Sequence, residues 1–334
     1  MKYLGYILFS LCVTFNALTQ DIHWTQFDHN PIFQNPANTG HFTGGNYRVH
    51  ANYRDQWRSV TVPFQTLSIS GDHNGFLHEN LSVGMYLFND VAGDGKFRTI
   101  EFQPSASWLF KLTDDSVHLV RTGASVGVNY RQFNADAFTF GSQWNGEFFD
   151  NSLPTNEVFF TERRTNATLA LGANYEWVGD ERKKITTGIG FFNINRPNQG
   201  FFGENILRER RVNFFTRAQL ELNNDWDLLP SLQLNVQGNY REFLLGSQAR
   251  YILKDRLGEY RAVLFGAYIR GGDAGALMGG IEWQNWWAGI SYDINYSSLY
   301  VASRGRGGVE FSLRYIFGKY KPTKTIFRVC PDFI

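Results

Sequence analysis

The sequence predicts an all-β fold, a transmembrane antiparallel β-barrel of about fourteen strands in a bacterial outer membrane. Apolar side chains recur at every second position over segments of about ten to thirteen residues, which is the period of a β-strand. After the first 19 residues, no run approaches the 18–20 continuous apolar residues of a membrane-spanning helix. The 334 residues include 30 Phe, 16 Tyr, 9 Trp and 33 Gly, yet the mean hydropathy is only −0.32. Such a composition is typical of barrels that turn apolar side chains to lipid and polar ones to the lumen.

The alternation is clearest in residues 227–241, where leucines on one face oppose serine, glutamine and asparagine on the other. A soluble β-sandwich also alternates, but its strands average about 5–6 residues, whereas a tilted membrane strand needs about 9–11. The apolar faces also end often in Tyr, Trp or Phe, as an interfacial girdle requires. Twelve or sixteen strands remain compatible with the pattern. The predicted strands are 47–57, 64–72, 80–89, 97–111, 121–131, 165–177, 184–193, 211–222, 227–241, 243–254, 260–270, 274–284, 285–296 and 307–318.

The predicted connections between strands are of two kinds. Residues 113–116, 178–181 and 223–226 contain Asp, Asn or Gly and predict tight turns. Residues 133–164 and 194–210 predict long loops, of which the first is strongly aromatic. Long loops of such barrels usually face the outside, and functional contacts concentrate on loops.

The start of the chain predicts export. Met-Lys is followed by a mainly apolar run to Leu18, and small residues precede Gln20. This pattern predicts a secretory signal peptide, residues 1–19, with a mature chain that begins at Gln20 or Asp21. A buried helix or an anchor is the alternative, but the run is shorter than a spanning helix. The net charge of +1 gives no reason to expect nucleic-acid binding, and the two Cys, one of them Cys12 in the signal peptide, exclude a disulfide scaffold.

Two segments after the signal peptide do not alternate. Residues 20–45 are rich in His, Asn, Pro and aromatic residues, and they could fold into the lumen as a plug or lie at the periplasmic mouth. Residues 319–334 follow the last predicted strand as a basic periplasmic tail. The sequence therefore divides into a signal peptide (1–19), a non-barrel segment (20–45), the barrel (46–318) and the tail (319–334).

Charged side chains recur on the faces that the alternation assigns to the lumen. The simpler interpretation of these charged residues is an internal network that stabilises the barrel and the plug. The more specific interpretation is an anion-selective or gated channel. Trp283, Trp286 and Trp287 are predicted to belong to the interfacial girdle and not to a ligand platform. The predicted luminal set comprises Arg48, Arg54, Arg121, Arg131, Arg217, Arg241, Arg250 and Arg314, with Glu101, Glu176, Glu221 and Glu310.

No catalytic, cofactor or metal site is predicted. His23, His29 and His41 lie close in sequence, but their spacing matches no zinc pattern, so polar packing within a plug is expected. His50 would be the candidate base of a barrel lipase, but nothing in the sequence locates a nucleophile for it. Residues 90–95 contain a fragment of a calcium loop without its terminal glutamate, so a turn is expected there.

The non-alternating ends and the first strands carry a family resemblance. Five sequence blocks occur in order. They are the start of the mature chain, with Trp-Thr-Gln-Phe, Asn-Pro-Ile-Phe and Asn-Pro-Ala, then Tyr-Arg-Asp-Gln-Trp, then Pro-Phe-Gln-Thr, then Asn-Asp with Gly93, and Cys-Pro-Asp-Phe near the end. Together they resemble the PorP/SprF family of the type IX secretion and gliding machinery of Bacteroidetes. Ile22 departs from the family pattern, in which many members carry proline. The resemblance marks as candidates for partner contacts Gln26, Phe27, Asn30, Pro31, Asn35, Pro36, Gly40, Tyr53, Arg54, Gln56, Trp57, Asn89, Asp90, Cys330, Pro331 and Phe333.

The resemblance implies a non-enzymatic barrel without cofactors that helps the type IX translocon to secrete, retain or anchor a large surface protein such as an adhesin. It also implies periplasmic partners that are motor-associated or linked to peptidoglycan, beside the outer-membrane lipids that any such barrel contacts. In this interpretation the non-barrel segment seals the lumen, the outer loops engage the adhesin, and the tail and periplasmic turns engage the periplasmic partners. A passive channel for small solutes or hydrophobic compounds is the alternative function, and an enzyme that uses His50 is the third.

Overall fold

The computed structural model describes residues 21–58, 62–157, 161–256, 259–298 and 300–318. Within these residues, fourteen strands form one closed antiparallel sheet in which β1 pairs with β14, so the predicted barrel is confirmed. The predicted signal peptide with Cys12, and the tail with Cys330, Pro331 and Phe333, lie outside the described residues. The strands are β1 (Tyr47–Gln56), β2 (Phe64–His73), β3 (Leu81–Ala92), β4 (Phe97–Lys111), β5 (His118–Gln132), β6 (Arg163–Asp180), β7 (Lys183–Phe192), β8 (Arg211–Glu221), β9 (Trp226–Gln237), β10 (Tyr240–Arg256), β11 (Glu259–Arg270), β12 (Ala274–Trp283), β13 (Trp286–Asn295) and β14 (Arg306–Phe317).

The predicted strand 227–241 is wrong at its C-terminal end. The chain turns at Gly238, whose φ of 56° lies in the left-handed region that glycine adopts without strain. A two-residue hairpin loop results, and β10 begins at Tyr240. Glu242 then takes the luminal face of β10, and the neighbouring Arg241 is exposed on the opposite face. The predicted luminal position of Arg241 is therefore also wrong.

The alternation along each strand separates a lipid-facing surface from a polar lumen. On β4, Phe102 and Trp108 are exposed on the outer face, whereas Gln103, Ser105 and Ser107 are buried inside. Closure of the sheet pairs the backbone groups of every strand with two neighbours, which the hydrocarbon region of a bilayer requires. None of the described helices is both long and apolar enough to cross a membrane.

The connections alternate between the two ends of the barrel, and the long ones share one end. Short turns of such barrels face the periplasm and long loops face the outside. We therefore call the end with the long loops the outer mouth and the opposite end, where β1 begins and β14 ends, the periplasmic mouth. The described parts of connections 57–63, 93–96, 133–162, 193–210, 238–239, 271–273 and 296–305 lie at the outer mouth. Connections 74–80, 112–117, 181–182, 222–225 and 284–285 lie at the periplasmic mouth.

Residues 21–46, which we call the luminal segment, run through the barrel and end at Asn46, which hydrogen-bonds to Phe317 and Asn74 at the edge of the wall. The segment is a chain of short turns: a 3-10 helix at Phe27–His29, the α-helix α1 at Pro31–Gln34 and a second 3-10 helix at Pro36–Asn38. A proline begins each of the last two turns, where its missing N–H is not needed by the helix. Inside the barrel, Phe27 packs with Tyr268 and other apolar side chains of the wall, so the lumen contains a small hydrophobic core.

Candidate functional site

The luminal segment crosses the barrel from the outer to the periplasmic mouth. Its first described residue, Asp21, pairs with Arg208 of outer connection 193–210 at 2.7 Å. Further along, the side-chain amide of Asn30 donates to Ser68 Oγ at 3.0 Å. Near the periplasmic end of β2, the backbone N–H of Gly40 donates to Asp72 at 2.6 Å. The segment is thus bonded to the barrel wall along the whole length of the lumen.

An ion-pair cluster holds the outer half of the segment. Arg54 of β1 contacts Glu310 of β14 at 2.7 Å and Asp293 of β13 at 2.6 Å, and all three side chains are nearly fully buried. The backbone N–H groups of Thr25 and Gln26 each donate to a carboxylate oxygen of Glu310 at 2.9 Å. The Gln26 side-chain amide also donates to the Glu310 carbonyl oxygen at 2.9 Å. Buried charges require such pairing and hydrogen bonding, so segment and wall complete one network.

The outermost contact is a second charged cluster. Arg208 bridges Asp21 and Glu101, with nitrogen–oxygen distances of 2.7 Å and 2.9 Å. Burial of the Asp21 carboxyl favours its neutral form, but Arg208 and Arg211 outweigh this effect and lower the pKa of Asp21 from 3.8 to about 2. Asp21 is therefore ionised at neutral pH and ties the segment to the outer mouth.

Arg48 anchors the periplasmic end of the segment. Its guanidinium pairs with Asp72 at 2.5 Å and donates to the carbonyl oxygens of Asn38 and His41 at 3.1 Å each. His41 in turn contacts Glu176 of β6 at 3.0 Å. The Asn38 carbonyl oxygen also accepts the backbone N–H of His41 at 3.0 Å, so the wall residue Arg48 adds to a turn that is already hydrogen-bonded.

The Asn-Pro-Ala block contacts the wall at two glycines. The Asn35 side chain accepts a hydrogen bond from the Ala37 N–H at 2.9 Å and donates to the Ala173 carbonyl oxygen at 3.2 Å. A Cβ atom on Gly172 would lie 1.9 Å from Asn35 Oδ1, and one on Gly123 would lie 2.4 Å from the Ala37 nitrogen. Only glycine in the wall lets the turn approach this closely. Sequence reasoning did not identify either glycine, because each lies far along the chain from the residue that it accommodates.

The other family-motif residues divide between the two faces of the barrel. Tyr53 faces away from the lumen, and its hydroxyl donates to Asp55 at 3.3 Å. Asn89 lies on that same outer side of β3, whereas the next residue, Asp90, faces the lumen. Pro31 and Pro36 begin turns of the luminal segment, and Gly40 has a φ of 67°. The described motif residues thus lie in the lumen or at its outer mouth, except Tyr53 and Asn89, which the alternation turns to the outer face.

Gln56, Trp57 and Asp90 line a cavity of about 240 Å³ at the outer mouth, which we call the outer cavity. Its walls also include Phe64, Phe97, Asp21 and Arg208. Trp57 has a φ of 58°, a left-handed conformation that costs a non-glycine residue roughly 1–2 kcal/mol. Such strain often marks functional positions, so the outer cavity is a candidate binding site.

The three histidines of the luminal segment lie apart from one another along the lumen. His23 lines the outer cavity, His41 contacts Glu176, and the His29 ring stacks on the Trp287 ring with a centroid distance of 3.4 Å. Among the described residues, no three His, Cys, Asp or Glu side chains are placed to share a metal ion.

Two further predictions concern aromatic and titratable wall residues. The girdle position predicted for Trp287 is wrong, because its side chain is buried in the lumen, whereas Trp283 and Trp286 are exposed on the outer face. Trp287 follows Trp286 directly, so alternation alone turns it inward. His50 is buried on the luminal face of β1. Neither of its ring nitrogens has a hydrogen-bond partner in the described part of the chain.

Comparison with known families places the chain among secretion proteins. A family model described as type IX secretion system membrane protein PorP/SprF matches residues 16–315. No curated protein shows significant similarity to the sequence.

Solved structures with a similar fold are outer-membrane barrels. The CymD monoaromatic hydrocarbon channel has a TM-score of 0.52 at 9% identity, with 88% of this chain and 94% of that chain covered. The Ralstonia pickettii toluene transporter TbuX has a TM-score of 0.51 at 8% identity, with coverages of 86% and 94%. A Pseudomonas aeruginosa FadL homologue has a TM-score of 0.50 at 12% identity, again with coverages of 86% and 94%. At these identities the likeness concerns the fold alone.

Proposed function

Because the chain belongs to the PorP/SprF family of type IX secretion system membrane proteins, we propose that it is a closed, non-enzymatic component of this machinery that holds a large secreted protein at the cell surface. The chain is a barrel of the bacterial outer membrane. An adhesin of the gliding machinery of Bacteroidetes is the kind of surface protein that we infer as its partner.

The luminal segment is the observation that carries this proposal. It is bonded to the wall at the outer mouth through Asp21, in the outer half through Glu310 and at the periplasmic end through Arg48. Opening a solute path would break the Asp21–Arg208 ion pair and the buried hydrogen bonds that the segment makes to Glu310 and Arg48. Buried charged groups that lose such partners are strongly destabilising. This supports a barrel that acts as a docking body and not as a passive channel.

The outer loops supply a surface on which a protein partner can dock. Connection 133–162 exposes Trp144, Phe148 and Phe149, and connection 193–210 exposes Ile206. Exposed aromatic clusters on loops commonly mark protein interaction sites, because buried aromatic anchors carry much of the binding energy of an interface. We infer that the secreted protein contacts these loops, while the periplasmic turns and residues 319–334 contact motor-associated or peptidoglycan-linked components.

Retention of the surface protein tests this proposal. The variant Trp144→Ser/Phe148→Ser removes two exposed aromatic side chains from the outer mouth. Leu77→Ser removes an apolar side chain that is 89% exposed at the periplasmic mouth, so it is the matched control. We expect the double variant to lose co-purification of the surface protein from outer membranes and the control to keep it. Normal retention by the double variant, at equal barrel levels, would exclude docking on connection 133–162.

The passive channel is tested separately by conductance in planar bilayers. We expect the intact protein to show no steady ohmic conductance and a variant without residues 22–44 to conduct, because the lumen of the remaining wall is lined by polar side chains. Steady conductance of the intact protein would favour the channel instead.

A further inference from the structure

Among the described residues, the outer cavity contains one carboxylate, that of Asp90, without an ion-pair partner. Asp90 accepts a hydrogen bond from the Thr66 hydroxyl at 2.6 Å. Within the described part of the chain, no Lys, Arg or His nitrogen lies within ion-pair distance of the Asp90 carboxylate. The three residues of connection 57–63 that the structure does not describe, 59–61, carry no charge in the sequence. Burial without a counter-ion disfavours the ionised form of a carboxyl group, and a ligand cation would stabilise that form.

The other charged side chains that line the outer cavity already have partners within the protein. Asp21 and Arg208 form an ion pair at 2.7 Å. Arg131 donates to the Gln199 side chain, and its guanidinium lies 4.7 Å from the centre of the Phe97 ring. Burial, with Arg270 and Arg54 nearby, holds the pKa of His23 well below its usual value, so this ring adds no charge.

Aromatic rings form part of the wall of the outer cavity. Trp57, Phe64, Phe88 and Phe97 all line the outer cavity together with Asp90. The Trp57 and Phe64 rings meet edge to face with their centroids 4.8 Å apart. Ring faces attract cations, as the Arg131 guanidinium over Phe97 already illustrates in the same wall. The cavity therefore combines the two elements that recognise an organic cation, a carboxylate and an aromatic wall.

We propose that the outer cavity binds an arginine or lysine side chain presented from outside the cell, with Asp90 as its counter-ion and Trp57 and Phe64 as its walls. The cavity volume of about 240 Å³ accommodates one long side chain but not a folded domain. That a secreted polypeptide presents this side chain rests on the proposed function, whereas the preference of the cavity for a cation does not.

Calorimetric titration of the full chain in detergent tests the preference directly. The probe is the capped tripeptide Gly-Arg-Gly, and its control carries citrulline, which has nearly the same shape as arginine but no charge. We expect the arginine peptide to bind at least about tenfold more tightly, as an ion pair shielded from water predicts. We expect Asp90→Asn, which keeps an acceptor for Thr66, to abolish this difference.

Asp94→Asn is the matched control, because Asp94 is an exposed carboxylate of the neighbouring outer connection 93–96. It should keep the preference for arginine. Equal binding of the two peptides, no binding of either, or an unchanged preference in Asp90→Asn would overturn the proposal. Retention of the surface protein is then measured for Asp90→Asn. If the wild type prefers the arginine peptide but Asp90→Asn retains the surface protein normally, the secreted polypeptide is rejected as the source of the cation. The preference of the cavity for a cation would still stand.

Discussion

The guanidinium of Arg54 and the carboxylate of Glu310 lie 2.7 Å apart on β1 and β14, where these two residues are direct cross-strand partners. These are the strands that close the barrel. The same carboxylate accepts two backbone N–H groups of the luminal segment, from Thr25 and Gln26. One buried ion pair thus joins barrel closure to retention of the segment.

Removal of the Arg54 charge should therefore be costly. In Arg54→Met the carboxylates of Glu310 and Asp293 lose their shared partner, and breaking a buried pair in this way costs about 3–5 kcal/mol. We expect a loss of this size in the free energy of unfolding, measured by urea titration in detergent. Arg58→Met is the control, because Arg58 is exposed to solvent and its pair with Asp55 is therefore expected to contribute little to stability. Equal losses in the two variants would contradict the network.

Valine at Gly172 should displace the luminal segment without unfolding the barrel. Its Cβ would occupy the place of Asn35 Oδ1, while valine suits a strand. Overpacking of this kind costs roughly 1–3 kcal/mol, so we expect proteolysis of residues 21–46 to become about tenfold faster. Gly279→Val is the control, because a Cβ at Gly279 meets nothing within 4 Å. Unchanged protection of the segment in Gly172→Val would show that the close approach is not needed.

Gly40 should be more sensitive than Gly93 to alanine. Both have left-handed φ angles, 67° and 65°, so alanine at either position carries a backbone cost of about 1–2 kcal/mol. At Gly40 the added Cβ would also lie 2.2 Å from the Ser82 Cβ, whereas at Gly93 it meets nothing within 4 Å. We expect Gly40→Ala to lose roughly 1–3 kcal/mol more in unfolding free energy. Similar losses would mean that Ser82 moves aside freely.

The contribution of Asp21 to stability should depend on pH. Its pKa is about 2 in the folded protein, below the ordinary 3.8, so ionisation stabilises the fold above about pH 4. This stabilisation, roughly 2 kcal/mol at neutral pH, is lost as the pH falls from about 4 to 2. We expect Asp21→Asn to unfold more easily than the wild type at pH 7 and the two proteins to converge near pH 2. A difference that does not change with pH would exclude the ion pairs with Arg208 and Arg211 as its cause.

The fold was predictable to a large extent because its signal is local. Residues of β4 such as Phe102 and Gln103 alternate between lipid and lumen, and a period of two can be read within one strand. One error arose at Gly238, where a turn interrupts the alternation of apolar and polar residues. Another arose at Trp286 and Trp287, which were both assigned to the outer face although neighbouring residues of a strand point to opposite faces. The family blocks likewise identified the secretion family from their order alone.

The sequence by itself determined the alternating strands, the barrel and the family. Only the tertiary structure decided that residues 21–46 run through the lumen and that Asn35 meets Gly172. It also decided that Asp90, which has no ion-pair partner among the described residues, shares a cavity with aromatic rings at the outer mouth. The physical reason is distance along the chain. Arg54 and Glu310 are 256 positions apart, and no local pattern reports which charges meet once a sheet closes on itself.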